Sequence, residues 1–247
     1  MFLGILSSGV AAAAGIGAWG AVAPWSELYG PTVRHTSSAG KIALTFDDGP
    51  NPAVTPKLLE LFERHSVRAT FFLIGKFARA CPDLVKEISA HGHTLGNHTD
   101  SHARLIFHSR MGIREELVRC QEAIASATGA PPVWMRPPYG YRSPLLQGEI
   151  ERAKMQGVVM WSKSCWDWKP QPPQRLIERL ARVARPGLDG AARQAGGQEA
   201  RRRGGDIIVF HDGDHRALGG DRYHVVAALE YWLPRWRDAG IEFVTIE

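Results

Sequence analysis

Beyond residue 40 the chain alternates short apolar runs rich in β-branched residues with longer segments of helical period. This alternation is typical of parallel strands that are each followed by a covering helix. The predicted strands cover residues 41–47, 68–73, 93–97, 133–137, 157–162, 206–211 and 241–246. The predicted helices cover residues 55–65, 82–91, 112–128, 142–156, 172–185 and 222–239. We therefore predict an α/β fold whose sheet closes, or nearly closes, into a β/α barrel, with a doubly wound open sheet as the alternative.

Composition narrows the class of protein without naming a substrate. The 247 residues are 44% hydrophobic and 22% charged, which excludes a disordered, collagen-like or coiled-coil chain. The formal net charge of +5 is small, and no basic helix or aromatic and basic platform is visible, so we expect no nucleic-acid partner. Cys81, Cys120 and Cys165 lie far apart, which argues against a cysteine-type zinc site and against a disulfide framework.

The N-terminal segment, residues 1–26, carries no charged side chain. Its apolar run over residues 5–24 is long enough to span a bilayer. Residues 21–23, Ala-Val-Ala, have the small-x-small form of a signal cleavage site, although no Lys or Arg precedes the run. We expect an export signal or a membrane anchor, and hence an extracytoplasmic or membrane-anchored protein. The alternative is an apolar segment packed on the domain, which would fit a cytoplasmic protein.

The catalytic domain is expected over residues 36–247, with one interruption at residues 186–205. This segment contains six Gly, four Arg and one large aliphatic residue, Leu188, so it can bury almost nothing. We predict a mobile surface insertion within a helix-to-strand connection, at the rim opposite the site and dispensable for turnover. The run of three arginines at residues 201–203 fits a solvated loop better than a site for an anionic polymer.

Two adjacent carboxylates end the first long predicted strand, in the sequence Thr-Phe-Asp-Asp-Gly-Pro at residues 45–50. The carboxyl ends of barrel strands form the catalytic rim, where neighbouring side chains diverge. One of Asp47 and Asp48 can therefore bind a metal while the other faces a water molecule. The alternative is an ordinary capped turn into the next helix.

Two imidazoles follow another predicted strand, because residues 98–102 read His-Thr-Asp-Ser-His. A spacing of four places His98 and His102 on one face of a turn or helix. Two histidines and one carboxylate suit zinc with an open coordination position. Alone, this spacing is a weak signal, since surface histidines are common.

Three further strand ends carry polar or aromatic groups. Arg136 opens the sequence Arg-Pro-Pro-Tyr-Gly and can pair with a carboxylate, while the main-chain N–H of Tyr139 can act as an oxyanion donor. The sequence Cys-Trp-Asp-Trp at residues 165–168 suggests a groove wall at Trp168, since flat indoles stack on sugar rings, whereas we expect Trp161 in the core. His211 ends an apolar strand and is a candidate general acid. The alternatives are a rigid proline loop with a surface arginine, routine core packing, and a structural histidine.

In this order, the five motifs resemble those of the carbohydrate esterase family 4 polysaccharide deacetylases, or NodB-homology domain, over residues 41–247. The resemblance implies a distorted (β/α) barrel of about seven parallel strands. It also implies metal-dependent removal of N-acetyl groups, and in some members O-acetyl groups, from polysaccharides such as peptidoglycan, chitin or xylan.

Carried over to this sequence, the family's metal ligands match Asp48, His98 and His102. The metal implied is zinc, with other divalent metals such as cobalt as alternatives. Asp47 matches the general base, and Arg136 matches the residue that orients it.

The remaining roles concern the acid and the substrate. His211 matches the general acid, and Asp167 matches the carboxylate that tunes it. Tyr139 matches the oxyanion contact through its main chain, Trp168 would line the acetyl pocket, and Pro138 is expected beside them on the substrate side. The implied partner is an acetylated glycan.

One position departs from the family pattern. The fourth motif often carries a further Asp three residues before Asp167, where this chain has Ser164, and we expect this to affect substrate contacts more than the chemical step. Three alternatives share the scaffold: an O-acetyl esterase for xylan-like glycans, a hydrolase of small cyclic amides, and a catalytically inactive barrel that binds glycans.

Overall fold

The structure, a computed structural model, describes residues 15–38, 40–183 and 205–246. The strands in these ranges are β1 Thr32–Val33, β2 Lys41–Gly49, β3 Thr70–Leu73, β4 Thr94–Asn97, β5 Trp134–Met135, β6 Gly157–Val159, β7 Lys163–Ser164, β8 Ile207–His211 and β9 Glu242–Phe243. The labelled helices are α1 Thr55–His65, α2 Gly75–Ala80, α3 Pro82–Ala90, α4 Arg110–Thr128, α5 Leu146–Arg152, α6 Pro173–Val183 and α7 Tyr223–Asp238. No helix within the described ranges combines the length and apolar character that crossing a membrane requires.

The strands pair in parallel in the order β1-β6-β5-β4-β3-β2-β8-β7, and β9 pairs with β2. β6 lies near one end of this order and β7 at the other, yet only residues 160–162 separate them. A connection of this length spans at most ~15 Å, so the two ends of the sheet lie close together. The Ser162 N–H also donates to the Ile207 carbonyl oxygen on β8, at 3.0 Å. The sheet therefore curls into the predicted distorted barrel.

Strand β2 is buried on both faces, as expected for a central parallel strand. Its alternating side chains separate two environments. Leu44 and Phe46 pack with the helix-facing core, where the Phe46 ring lies 5.0 Å from the Phe71 ring. Thr45 and Asp47 point the other way, into the barrel, where both accept a hydrogen bond from Arg136. The period of two thus delivers a carboxylate to the barrel interior at the end of this strand.

Several expected boundaries differ from the observed ones because the elements are short. The sheet begins ahead of residue 36, since β1 pairs with β6. The strand expected at 157–162 is only β6, at 157–159; β7 follows at 163–164, was not predicted, and pairs at the opposite end of the sheet. Helix α2 was not predicted, and the helix expected at 142–156 is shortened to α5.

The insertion expected at residues 186–205 lies outside the described residues except for Gly205. The Gly205 N–H donates to the Ser38 carbonyl oxygen at 2.8 Å, and its α-carbon approaches the Lys41 carbonyl so closely that a side chain would not fit. Gly205 is therefore next to the starts of β2 and β8, at the rim opposite Asp47 and His211. The dispensability of the insertion stays a prediction.

The N-terminal segment, as far as it is described, contacts the barrel through its main chain. Residues 15–22 are helical, and the buried side chain of Arg142 donates to the carbonyl oxygens of Gly20, Ala23 and Ser26. The bond to Gly20 satisfies a carbonyl in the last turn of this helix, where carbonyls lack partners within the helix. The larger apolar side chains stay outside this contact and are exposed, namely Ile16, Trp19, Val22, Trp25 and Leu28.

Candidate metal and catalytic site

A groove of about 550 Å³ lies at the carboxyl ends of the strands. Seven of the predicted site residues line it: Asp47, Asp48, His98, His102, Tyr139, Trp168 and His211. Arg136 and Asp167 are fully buried behind it. Pro138 is buried and does not line the groove, so of the three residues expected to contact substrate, Tyr139 and Trp168 face it.

Asp48, His98 and His102 form a compact group of buried ligand atoms. Asp48 Oδ1 lies 3.1 Å from His102 Nε2 and 3.5 Å from His98 Nε2. One ligand atom from each residue lies within 4.8 Å of the others. Asp48 and His102 have φ angles of 71° and 64°, in the left-handed region that residues other than glycine rarely adopt. Local backbone conformation therefore helps to aim both side chains at a common point.

The protonation states of this group suit a metal. Burial raises the pKa of Asp48, but hydrogen bonds with His102, His215 and His98 outweigh it and hold that pKa well below its ordinary value. Burial lowers the pKa of His102 to about 4, despite its hydrogen bond with Asp48. An ionised carboxylate and a neutral imidazole are the forms that ligate divalent metals.

The hydrogen bonds around the group fit a metal as well. His98 Nδ1–H donates to the Arg136 carbonyl oxygen at 2.7 Å, a bond that orients the imidazole and points its Nε2 toward Asp48. Buried His102 Nδ1 has no hydrogen-bond partner within the described part of the chain. Two imidazole nitrogens and one carboxylate suit zinc or a similar divalent transition metal, and leave coordination positions open.

Arg136 fixes the orientation of Asp47. Its Nη1 donates to Asp47 Oδ1 and to Thr45 Oγ1, both at 2.8 Å, and its other nitrogens donate to the carbonyl oxygens of Val159 and Met160. The guanidinium is therefore hydrogen-bonded on all sides. Asp47 Oδ2 makes no bond to Arg136 and lies beside the metal-ligand residues, 4.0 Å from His98 Nε2, where it can accept a proton.

Asp167 holds His211 through two hydrogen bonds. Its Oδ2 accepts from the main-chain N–H of His211 at 2.6 Å, and its Oδ1 accepts from His211 Nδ1–H at 3.1 Å. Burial lowers the pKa of His211, but the charge and hydrogen bond of Asp167 outweigh it and raise the pKa to about 9. The imidazole is therefore protonated at neutral pH and available as an acid.

The base and the acid lie on neighbouring strands. Asp47 of β2 and His211 of β8 are register partners in the parallel ladder, so their main chains are ~5 Å apart. Aromatic rings form part of the remaining wall. The Tyr139 ring lies 4.7 Å from the His102 ring, and the Trp168 ring lies 6.3 Å from the His211 ring. Trp161 packs on the core, as predicted, and also lines the groove.

His215 was missed by the sequence predictions. Its ring stacks on the His102 ring at 4.2 Å, and its Nδ1 lies 3.7 Å from Asp48 Oδ2. His215 stands four residues after His211, the same spacing that drew attention to the pair at residues 98 and 102. That spacing was the available signal.

Asp212 was also missed, and it supports the turn after β2. Burial raises its pKa to about 7, and Thr55 Oγ1–H donates to its Oδ2. A β-carbon on Gly49 would lie 2.4 Å from that carboxylate oxygen, so the turn needs glycine there. Asp212 thus packs against the main chain that carries Asp47 and Asp48.

Comparison with known proteins agrees with this geometry. Residues 34–158 match the family model described as polysaccharide deacetylase, and they include Asp47, Asp48, His98, His102 and Arg136. The chain belongs to the polysaccharide deacetylase family. Asp167 and His211 follow the matched residues: His211 lines the same groove at the end of β8, and Asp167 lies buried behind it.

Similar proteins align with most of the length of this chain. A peptidoglycan-N-acetylglucosamine deacetylase of Bacillus cereus is 31% identical over 224 residues, 90% of this chain and 72% of that protein. A chitooligosaccharide deacetylase of Azorhizobium caulinodans is 31% identical over 220 residues, 86% of this chain and 96% of that protein. A crystal structure of a peptidoglycan N-acetylglucosamine deacetylase superposes with a TM-score of 0.71 at 30% identity, covering 87% of this chain and 90% of that one.

Proposed function

We propose that this protein is a metal-dependent deacetylase that hydrolyses N-acetyl groups of an amino-sugar polysaccharide of the peptidoglycan or chitin type and releases acetate. The observation that carries the proposal is the convergence, in one groove, of three metal-ligand side chains, a carboxylate held by arginine and an imidazole held protonated by a carboxylate. The names of the two relatives above support the substrate class.

Asp48, His98 and His102 are the residues that would hold the metal, and we propose zinc, with cobalt as an alternative. When bound, such an ion supplies a Lewis acid that polarises a carbonyl and makes water more acidic. The donor set favours this class of metal over magnesium or calcium, which prefer oxygen ligands.

The proton transfers are assigned to this chain's own side chains. Water attacks the acetyl carbonyl carbon, and Asp47, oriented by Arg136, takes the proton it loses. The Tyr139 main-chain N–H donates to the oxyanion that forms. His211 then protonates the departing nitrogen, the C–N bond breaks, and acetate and a free amino sugar result. Because Asp47 and His211 are register partners, one attacked carbon can lie within reach of both.

The complete set of acid, base and metal ligands argues against a catalytically inactive glycan-binding barrel. The same set can hydrolyse an ester or a small cyclic amide, so the choice is made by experiment. We would measure acetate release by the full chain in detergent from chitin oligomers, peptidoglycan and acetylated xylan, with zinc withheld or restored after chelation. Zinc-dependent release from an amino-sugar substrate is the expected result. Release from xylan alone identifies an O-acetyl esterase, and no release from any polymer contradicts the proposal.

We also propose that the N-terminal segment attaches the barrel to a lipid bilayer outside the cytoplasm, where these polymers lie. Residues 1–14 contain no charged side chain, and the exposed apolar residues that follow recur every third position from Ile16 to Leu28. Two of them, Trp19 and Trp25, are of the type enriched at membrane interfaces. We expect the full chain to sediment with vesicles and the double variant Trp19→Ser, Trp25→Ser to sediment less. Equal sedimentation of the two proteins, or none, contradicts this attachment.

A further inference from the structure

Trp166 has a left-handed backbone conformation, which several residues of the candidate site also have. Seven non-glycine residues of the described chain have a left-handed φ: Asp48, Ser66, Thr99, His102, Tyr139, Lys154 and Trp166. Ser66 caps the end of α1, and Lys154 follows the end of α5, both ordinary places for this conformation. Four of the others lie in the metal-ligand and oxyanion loops. Trp166, with φ of 58°, remains without a role.

Hydrogen bonds from outside its own turn hold this conformation. The Trp166 carbonyl oxygen accepts from Gln171 Nε2 at 2.9 Å and from Arg179 Nη1 at 3.1 Å. Arg179, on α6, also donates to Gln171 Oε1 at 3.1 Å. Strained residues of this kind persist where the surrounding structure fixes them, and they cluster at functional sites.

The core does not explain the conformation, because the Trp166 side chain is 62% exposed. Its ring centroid lies 4.9 Å from that of Trp168, with the two planes tilted by 39°. Trp168 lines the groove beside His211, whereas Trp166 lies outside it. The two indoles, here called the aromatic shelf, thus extend from the acid outwards along the surface.

We propose that Trp166 is the stacking platform for a second sugar ring of the polysaccharide, next to the acetylated ring that is held at Trp168. The inference rests on the proposed function, since it requires a glycan in the groove. The flat C–H face of a pyranose ring is apolar and packs against an aromatic face. An exposed indole offers such a face at little cost in side-chain entropy, because only two side-chain torsions must be ordered. Trp166 would therefore set a preference for longer chains.

The test compares kcat/KM for a long and a short acetylated chitin oligomer, in the full-length, zinc-loaded protein. The measured ratio is kcat/KM for the long oligomer divided by kcat/KM for the short one. We expect Trp166→Ala to lower this ratio by roughly tenfold, mainly by raising KM for the long oligomer. Trp166→Phe should restore most of the ratio. The matched control is Tyr231→Ala, which removes a 40% exposed aromatic ring from α7, away from the groove, and should leave the ratio unchanged.

A structural role for Trp166 would lower both rates together, and that result, or an unchanged ratio, overturns the platform while leaving the deacetylase proposal intact. If the wild-type protein releases no acetate from either oligomer, the deacetylase proposal fails, and the platform is decided by binding. Calorimetry would then compare the long oligomer on Asp47→Asn protein with and without Trp166→Ala. A Kd about tenfold weaker without the indole supports the platform, and an equal Kd, or no binding to either protein, overturns it.

Discussion

The charge of Asp167 sets the pH range in which His211 can act as an acid. Burial alone would lower the pKa of His211, but the charge and hydrogen bond of Asp167 outweigh it and raise the pKa from the ordinary 6.5 to about 9. A rise of about 2.5 units corresponds to about 3 kcal/mol in favour of the protonated imidazole. Removing the charge tests this directly.

Asp167→Asn keeps one carbonyl oxygen as an acceptor, removes the charge and leaves the burial of His211 unchanged. We expect the pKa of His211 to fall to about 6.5 or below. At about pH 7.5 the protonated fraction then falls from about 97% to about 9% or less. The kcat at that pH should fall roughly tenfold from this cause, and the alkaline limb of the pH profile should move down by about 2.5 units.

The assay is acetate release at saturating substrate between about pH 5.5 and 10, together with an NMR titration of the His211 imidazole. The matched control is Asp83→Asn, which removes an exposed carboxylate from the first turn of α3, at a residue that does not line the groove. Its alkaline limb should stay near pH 9. An unmoved limb in Asp167→Asn, or a loss of rate that is equal at every pH, would refute the reasoning.

Three further results follow from the same geometry. His98→Ala should lose metal and activity together, whereas Asp47→Asn should keep its metal and lose at least about 100-fold in kcat, as metal analysis and acetate release will show. Arg136→Met leaves Asp47 buried without its charged partner and should lower the free energy of unfolding by roughly 3–5 kcal/mol in urea titrations. The raised pKa of His211 adds stability to the folded wild-type protein, which is fully present below about pH 6.5 and is lost as pH rises through about 9. The Tm difference between wild type and Asp167→Asn should therefore narrow between these two pH values.

Four outcomes would contradict these expectations. Full zinc content in His98→Ala would remove that residue from the ligand set. Wild-type turnover in Asp47→Asn would reject it as the base. An unfolding free energy of Arg136→Met equal to wild type would mean that the buried pair is not held as described, and a Tm difference that widens with pH would reverse the assigned protonation of His211.

The barrel and most of the site could be predicted because both follow from strand periodicity. In parallel strands the polar residues that follow each apolar run meet at one rim, so Asp47, His98 and His211 could be placed together without knowing the closure of the sheet. That Arg136 pairs with a carboxylate was predicted from the residues, whereas the choice of Asp47 as its partner and the role of Asp167 came from the family resemblance. The structure adds the hydrogen bonds by which each of these two residues fixes its partner.

Other features could not be predicted, because they depend on short elements or on backbone conformation. β1 and β7 are two residues long, too short to show a period. The left-handed backbone of Trp166 is set by Gln171 and Arg179, whose contacts with it no spacing rule reveals. Arg142 was read only as part of a predicted helix, yet it is buried against main-chain carbonyls of the N-terminal segment.

The most direct test of the account is a zinc titration of chelated, full-length protein, with acetate release from an acetylated chitin oligomer as the readout. Asp48, His98 and His102 form one ligand group, so activity should rise from near zero and stop rising at about one zinc per chain. Zinc bound at that ratio without acetate release, or full activity in the chelated protein, would contradict the assignment of this groove as a metal-dependent deacetylase site.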